Sequence, residues 1–259
     1  MPSELTKPRF SIVIPAYNEE KGLAGTLRSI RTAVDLVLPD GWAYEFIVCN
    51  NHSTDHTAGI AARNGARVIH EAVQQISRAR NTGAGIAQGQ WLLFIDADTY
   101  PGPELMREVI SVMENNALIG CGATVQIVGG SLFNKLRMER MNPFFRLFGF
   151  CGGAFLLCQR EAFQAIGGFS DKLFAYEELD FVRRLRKYGR RGGREFVILH
   201  KHPVFTSGRK ADQRFLSIFN LLLAGFAAPV LFLLSNLLPG RIRIWARDNL
   251  LKYWYRPGR

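Results

Sequence analysis

The 259-residue chain carries no G-x-G-x-x-G in its first strand-to-helix turn and no G-x-x-x-x-G-K at any position. Those gaps argue against a dinucleotide-binding dehydrogenase and a P-loop enzyme, which need glycine where backbone meets phosphate. Cysteine is scarce, and Cys49, Cys121, Cys151 and Cys158 show no metal-type pairing. Cys49 and Cys158 sit in apolar runs and no secretory signal precedes the first strand, so both read as reduced core residues of a cytosolic domain. Acidic side chains are also in short supply: 22 Asp and Glu stand against 33 Lys and Arg, a formal net charge of +11. The surplus implies an anionic partner, whether nucleic acid, acidic lipid headgroups or a phosphorylated substrate. The length suits one sizeable core with a short appendage.

What is present begins with Phe10-Ser-Ile-Val-Ile-Pro15, a strand, and a helix whose Leu23, Leu27 and Ile30 recur at helical spacing. Tyr44 to Cys49 reads as a second strand. Asn50 to Asp55 follows as a loop in which Ser53 or Thr54 can cap a helix running to about Arg63. Gly65 to His70 is a short third strand, Ser77 to Gln88 a helix, and Trp91 to Ile95 a continuously apolar, buried strand. Strands alternating with helices predict an α/β fold whose mostly parallel sheet is covered on both faces.

The last of these strands ends in two carboxylates, Asp96 and Asp98, within a loop that runs to Pro101. Open α/β sheets hold ligands at that end of their strands. Acids one residue apart on an irregular backbone can turn toward one point, and Mg²⁺ or Mn²⁺ prefers carboxylate oxygens together with substrate phosphate. The same residues also suit an Asx-type turn ahead of a helix starting near Pro103. Spacing alone leaves both readings open.

Further motifs narrow the choice. Ile14-Pro-Ala-Tyr-Asn-Glu-Glu20, Ser53-Thr-Asp55, Ala79-Arg-Asn81 with Gly83, and Asp96-Ala-Asp98 follow one another in order. Gly152 to Phe163, Gly167-Gly-Phe169 and Glu177-Glu-Leu-Asp180 come downstream. Together they resemble a family 2 glycosyltransferase of the GT-A fold, over roughly residues 9 to 210. The resemblance implies a catalytic domain over 1–210, with a nucleotide-binding half at about 9–100 and an acceptor half at about 101–210. It also implies a nucleotide-sugar donor and a divalent cation, Mn²⁺ or Mg²⁺.

Roles carry over from that resemblance residue by residue. Pro15, Tyr17, Asn18 and Glu19, with Asn50 and Asn51, would surround the nucleotide base and ribose. Tyr17 offers a flat face with a polar tip, and equally suits packing beneath the sheet. The family's acidic residue and glycine are replaced here by Asn50-Asn51-His52, so the base is open, and His52 must accept a turn that glycine would take easily. Arg80 would bridge diphosphate oxygens, as would Arg209 in the Thr206-Ser-Gly-Arg-Lys210 loop. Asp98 would bind the metal directly and Asp96 the ribose or a metal-bound water. His200 or His202 could complete the metal site, or be structural. Glu178 is the first candidate for the base and Glu177 the alternative, while Asp180 pairs with Arg183 or Arg184. Gly167, Gly168 and Phe169 would shape the acceptor wall. The processive Q-x-x-R-W signature is absent, favouring transfer of one sugar at a time, and the resemblance together with a single base implies inversion.

Residues 211–259 form an expected membrane-associating appendage. Phe215 to Leu238 is apolar over about 24 residues, near the ~20 that cross a bilayer, but Gly225 and Pro229 interrupt it. The tail beyond it mixes Arg and Lys with Trp245, Trp254 and Tyr255, the composition of a cytoplasmic interface. A re-entrant hairpin or interfacial helices would keep both flanks on the cytoplasmic face of the cell membrane. A pair of helices packed on the domain or on a second subunit is the alternative, and the oligomeric state is open. Ser131 to Phe150 is a second basic amphipathic stretch, suited to anionic lipid or to covering the sheet. Together they imply a lipid-linked or other hydroxyl acceptor. A rival reading is a catalytically inactive GT-A-like membrane adaptor or nucleotide-binding protein. Nucleic acid is disfavoured as a partner because the basic residues lie beside apolar runs.

Overall fold

Strand alternation builds two cores in the computed structural model, which describes residues 7–129, 153–173 and 177–208 with positions 132, 136, 139, 142 and 143. Along β1 (Phe10–Ala16), Phe10, Ile12 and Ile14 pack into one cluster and Val13 into the other. Side chains on a strand alternate faces, so a strand apolar at every position is buried twice over. β4 (Trp91–Ile95) repeats the pattern, sending Trp91, Leu93 and Ile95 one way and Leu92 and Phe94 the other.

Helices α1 (Leu23–Asp35), α2 (Thr57–Arg63) and α4 (Pro103–Glu114) contribute to the first core. Helices α3 (Ile76–Gly85), α5 (Arg160–Ala165) and α6 (Glu177–Arg191) contribute to the second or border it. The remaining strands are β2 (Tyr44–Asn50), β3 (Arg67–His70), β5 (Thr99–Tyr100), β6 (Leu118–Val128), β7 (Phe155–Gln159) and β8 (Glu195–Ser207). Their order across the single sheet of the described residues is β3-β2-β1-β4-β7-β6-β8-β5. β7 runs antiparallel to β4 and β6, and β5 runs antiparallel to β8; the other pairings are parallel. The α/β fold with a mostly parallel, helix-flanked sheet is thus the one that the sequence predicts.

Three local details differ from expectation. The third strand starts at Arg67, two residues late, because Gly65 takes φ 77 to end the preceding turn. Helix α3 ends at Gly85, short of Gln88, because the chain must turn tightly at Gly89. A Cβ at Gly89 would lie 2.5 Å from the Phe10 carbonyl carbon. The loop after Ile95 contains β5, whose partners in β8 are more than a hundred residues away in sequence. Cys49, Cys121 and Cys158 are buried, and burial pushes the Cys49 thiol up to about 12. Among the described residues no helix is long and apolar enough to cross a membrane. Arg209, the 211–259 segment and most of 131–150 lie outside the described residues.

Candidate active site

The first two loops are stitched to each other. Asn18 sits at φ 51, where its backbone N–H donates to Ser53 Oγ (3.0 Å) and its Oδ1 accepts from the Thr54 N–H (2.9 Å). Glu19, buried, donates its N–H to Thr57 Oγ1 (2.8 Å), and Glu20 donates to Asp55 Oδ2 (3.1 Å). Asp55 Oδ1 accepts from the Thr57 N–H (2.9 Å), satisfying a donor at the start of α2. Burial works to raise the Asp55 pKa, but bonds from Thr57 and Glu20 outweigh it and hold the carboxyl below its usual range. The Ser53-Thr-Asp55 run therefore closes the loop holding Pro15, Tyr17, Asn18 and Glu19. Ser53 and Thr54 face that loop, and it is Asp55 that caps α2.

Asn50 and Asn51 are buried at the carboxyl end of β2. Asn50 Oδ1 accepts from the Ser53 N–H and its Nδ2 lies 3.2 Å from His70 Nδ1. Asn51 Oδ1 accepts from the Gln75 N–H (3.4 Å). His52 adopts φ 62, the left-handed turn expected where a glycine is replaced. Tyr17 is half-buried at the rim.

Asp96 and Asp98 stand just beyond the end of β4. Asp96 donates its N–H to the Ala154 carbonyl (3.1 Å), and the Asp98 carbonyl accepts from the Ser207 N–H (3.0 Å). Two hard oxygen donors at a strand end suit Mg²⁺ or Mn²⁺, which completes its shell with water and phosphate. Among the described residues no group of three or more His, Cys, Asp and Glu is arranged so that it could hold a metal ion. His202 lies elsewhere: its Nδ1 is 2.5 Å from Glu108 Oε1 on α4. It is four residues along β8 from Thr206, the partner of Thr99, or about 13 Å at the usual strand rise. His200 is exposed.

Arg80, 2% exposed, is the hub of the site. Its Nη1 donates to Glu177 Oε1 (3.0 Å), and its Nη2 to Asp96 Oδ1 (3.1 Å) and the Gly153 carbonyl (2.9 Å). Burial alone would lower its pKa, but Asp96, Glu177 and Glu178 outweigh burial and raise it, so Arg80 is charged. Its sequence neighbour Asn81 holds both backbone groups of Phe169, at 2.8 and 2.9 Å. Gln75, two turns earlier, donates to the carbonyls of Asp171 (2.8 Å) and Leu173 (3.1 Å). Gln75, Asn81 and Gly153 thus hold the site together. The A-R-N pattern marks Asn81 in the sequence, but no local signal marks Gln75. Phe169 is not a wall residue: it is 3% exposed and stacks on Phe181 with centroids 4.2 Å apart. Arg78 is 40% exposed and lies near Glu71 and Asp171.

Glu177 and Glu178 open α6, where a helix N-terminus favours negative charge. Burial, followed by repulsion from Glu177, raises the Glu178 carboxyl to about 8, against the pull of Arg80. One guanidinium faces three carboxylates, and the third holds its proton more tightly than an ordinary carboxyl. Asp180 pairs with Arg184 (2.7 Å) and Arg183 (3.5 Å).

The two carboxylates at the end of β4, the stitched first two loops and Glu178 all lie at the carboxyl end of the sheet's first strands or are tied to it through Arg80. Similar proteins are known. EpsJ of Bacillus subtilis, an uncharacterized glycosyltransferase, is 33% identical over 124 residues, 44% of this chain and 34% of that one. The match thus spans about a third of that relative's length. The S. aureus TarS 1-349 structure superimposes with a TM-score of 0.58 at 17% identity, covering 80% of this chain and 62% of that one. The mannosyltransferase PcManGT from Pyrobaculum calidifontis, in complex with GDP-Man and Mn²⁺, gives 0.55 at 18% identity, covering 78% and 56%. These likenesses establish the GT-A fold. The family model for glycosyl transferase family 2 matches residues 11–176, more than half of the chain, and the chain belongs to this family.

Proposed function

We propose that the chain is a divalent-metal-dependent glycosyltransferase that moves one sugar from a nucleoside diphosphate to an acceptor hydroxyl with inversion. The observation that carries the reading is the span of Arg80. A single guanidinium touches Asp96 at the donor end and Glu177 at the base end, so donor and acceptor chemistry meet at one point. Pro15, Tyr17, Asn18, Glu19, Asn50 and Asn51 line the base and ribose side. Asp98, with Asp96, would hold Mg²⁺ or Mn²⁺, and a bound ion supplies neutralisation of the charge that develops on the leaving diphosphate. Arg209 is the residue assigned to the diphosphate. Ionised Glu178 takes the proton of the acceptor hydroxyl. The hydroxyl oxygen forms a bond to the anomeric carbon as the carbon–diphosphate bond breaks on the opposite side, so the configuration inverts without an enzyme-bound sugar.

The acceptor we assign is lipid-linked and presented at the cytoplasmic face of the membrane. Leu132 and Leu136, one helical turn apart in a basic stretch, are 71% and 47% exposed, which supports an apolar contact beside the acceptor half. The mannosyltransferase complex with GDP-Man and Mn²⁺ supports the donor class and the cation. Thermal unfolding with a panel of nucleotide sugars, with and without Mn²⁺, identifies the donor, because a ligand bound only to the folded chain raises its stability. Asp98→Asn abolishes transfer, and Glu178→Gln spares donor binding while losing transfer. Full activity in both variants overturns the assignment.

A further inference from the structure

An arginine this deeply buried loses its hydration, and the loss is offset only if anions meet it with good geometry. Arg80 takes its acceptors from three distant places in the chain: Asp96 after β4, the carbonyl of Gly153 before β7, and Glu177 at the start of α6. The flat face is covered too, since the Phe169 ring centroid lies 5.2 Å from the guanidinium carbon. Gly153 leaves no slack, because a Cβ there would stand 2.7 Å from Nη2. Both hydrogens of Nη2 and one of Nη1 are already committed to protein oxygens. To grip diphosphate oxygens through Nη2, Arg80 would have to give up the Asp96 ion pair or the Gly153 bond.

The fork geometry gives this contact its consequence. The guanidinium is planar and rigid, so its two terminal nitrogens keep fixed directions relative to each other. A shift of Asp96 turns the guanidinium, and the turn is passed to Glu177, the residue next to Glu178. A lysine at this position would supply the charge without the two fixed directions.

We infer that Arg80 is a positioning residue that ties Asp96 on the donor side to Glu177 beside the base, so that donor carboxylate and base take their places together. The roles of the two carboxylates rest on the transferase reading above; the coupling between them rests on geometry.

The experiment is a double-substitution cycle of Asp96→Asn and Glu177→Gln, run with Arg80 in place and again with Arg80→Lys. Readouts are Mn²⁺-dependent binding of UDP and of GDP, kcat with the donor found by screening, and the urea midpoint. With Arg80 present the two substitutions are non-additive by about 5-fold or more in nucleotide affinity, within the usual range for groups in one network. In the Arg80→Lys background they become additive, and kcat falls ~10–100-fold, the usual loss when a supporting partner of an active-site group is changed. Additive effects with Arg80 in place overturn the inference. So does an Arg80→Lys variant that weakens nucleotide binding while kcat is kept, which is the signature of a direct diphosphate contact. The cycle with Arg80 in place needs no change at that residue, so it decides the matter even if Arg80→Lys does not fold. A parent chain that binds neither nucleotide refutes the transferase reading instead, and the urea cycle then still decides the coupling.

Discussion

Replacing Glu178 with Gln keeps the shape of the side chain and removes its titration. Glu178 lies within electrostatic reach of Arg80, whose single charge is already shared between Asp96 and Glu177, and burial with the Glu177 charge raises it from 4.5 to about 8. The folded chain therefore holds a proton that the unfolded chain has lost between those two values. Stability falls as pH rises through that window, with a limiting slope of about 1.4 kcal/mol per pH unit. Glu178 keeps some contact with water, and structural relaxation softens the penalty, so the realised loss is on the order of 2 kcal/mol. Urea unfolding in the presence of a chelator reads it directly. Parent and variant match at pH 5, and the variant is the more stable at pH 9. Activity moves in the opposite sense, since the base works only when ionised. The parent's kcat/KM climbs tenfold per pH unit up to about 8 and then levels. The variant lies ~10²–10⁴-fold below that plateau, the usual contribution of a positioned base, and its residual rate lacks the climb. A variant whose pH profile runs parallel to the parent's, or whose stability shows the same slope, refutes both the assignment of the base and the electrostatic account.

Other substitutions test other parts of the site. Asp98→Asn raises the Mn²⁺ concentration needed for any residual activity and abolishes transfer at ordinary Mn²⁺, read by activity across a cation titration; a rate within about 3-fold of the parent's rules out a metal role, since loss of a ligand costs several kcal/mol. Gly153→Ala drives a methyl to 2.7 Å from Arg80 Nη2, and unfolding experiments should show a loss of about 1–3 kcal/mol for this overpacking. Asp55→Ala removes the acceptor for the Thr57 and Glu20 N–H groups and costs about 1–2 kcal/mol at pH 7. Because the Asp55 pKa is depressed in the folded chain, that difference fades only as the pH falls below its ordinary 3.8. Removing residues 211–259 releases the protein from membranes, and an unchanged membrane fraction counts against the lipid reading.

The central strands were legible because they are simple. β1, β2 and β4 are apolar at nearly every position, and burial on both faces requires that composition. β5 was not legible: two residues inside a polar loop become a strand only because Thr206 and Phe205 arrive beside them. The site divides in the same way. Asp96, Asp98 and Glu178 announce themselves as carboxylates in motifs of known spacing, whereas the partners of Arg80 lie 16, 73 and 97 residues away, beyond any local pattern. The motif indicated that Arg80 matters, and only the tertiary contacts showed what it touches. His202 invited a metal role from its residue type, yet the path of β8 carries it onto Glu108.

The grip of α3 bears on how this chain can be recombined with its relatives. Gln75, Arg80 and Asn81 close contacts with Asp171, Gly153, Glu177 and Phe169, spanning 73 to 97 residues of sequence. A chimera cut after Tyr100, joining this nucleotide half to another protein's acceptor half, would bury Arg80 without its own Glu177 and set Asn81 against a foreign backbone. The unit that can be exchanged intact is therefore discontinuous: α3 travels with the segment before β7, the Gly168–Phe169 turn and the first turn of α6. The rim loops could be exchanged by themselves, but the helix behind them makes contacts on both sides of such a cut.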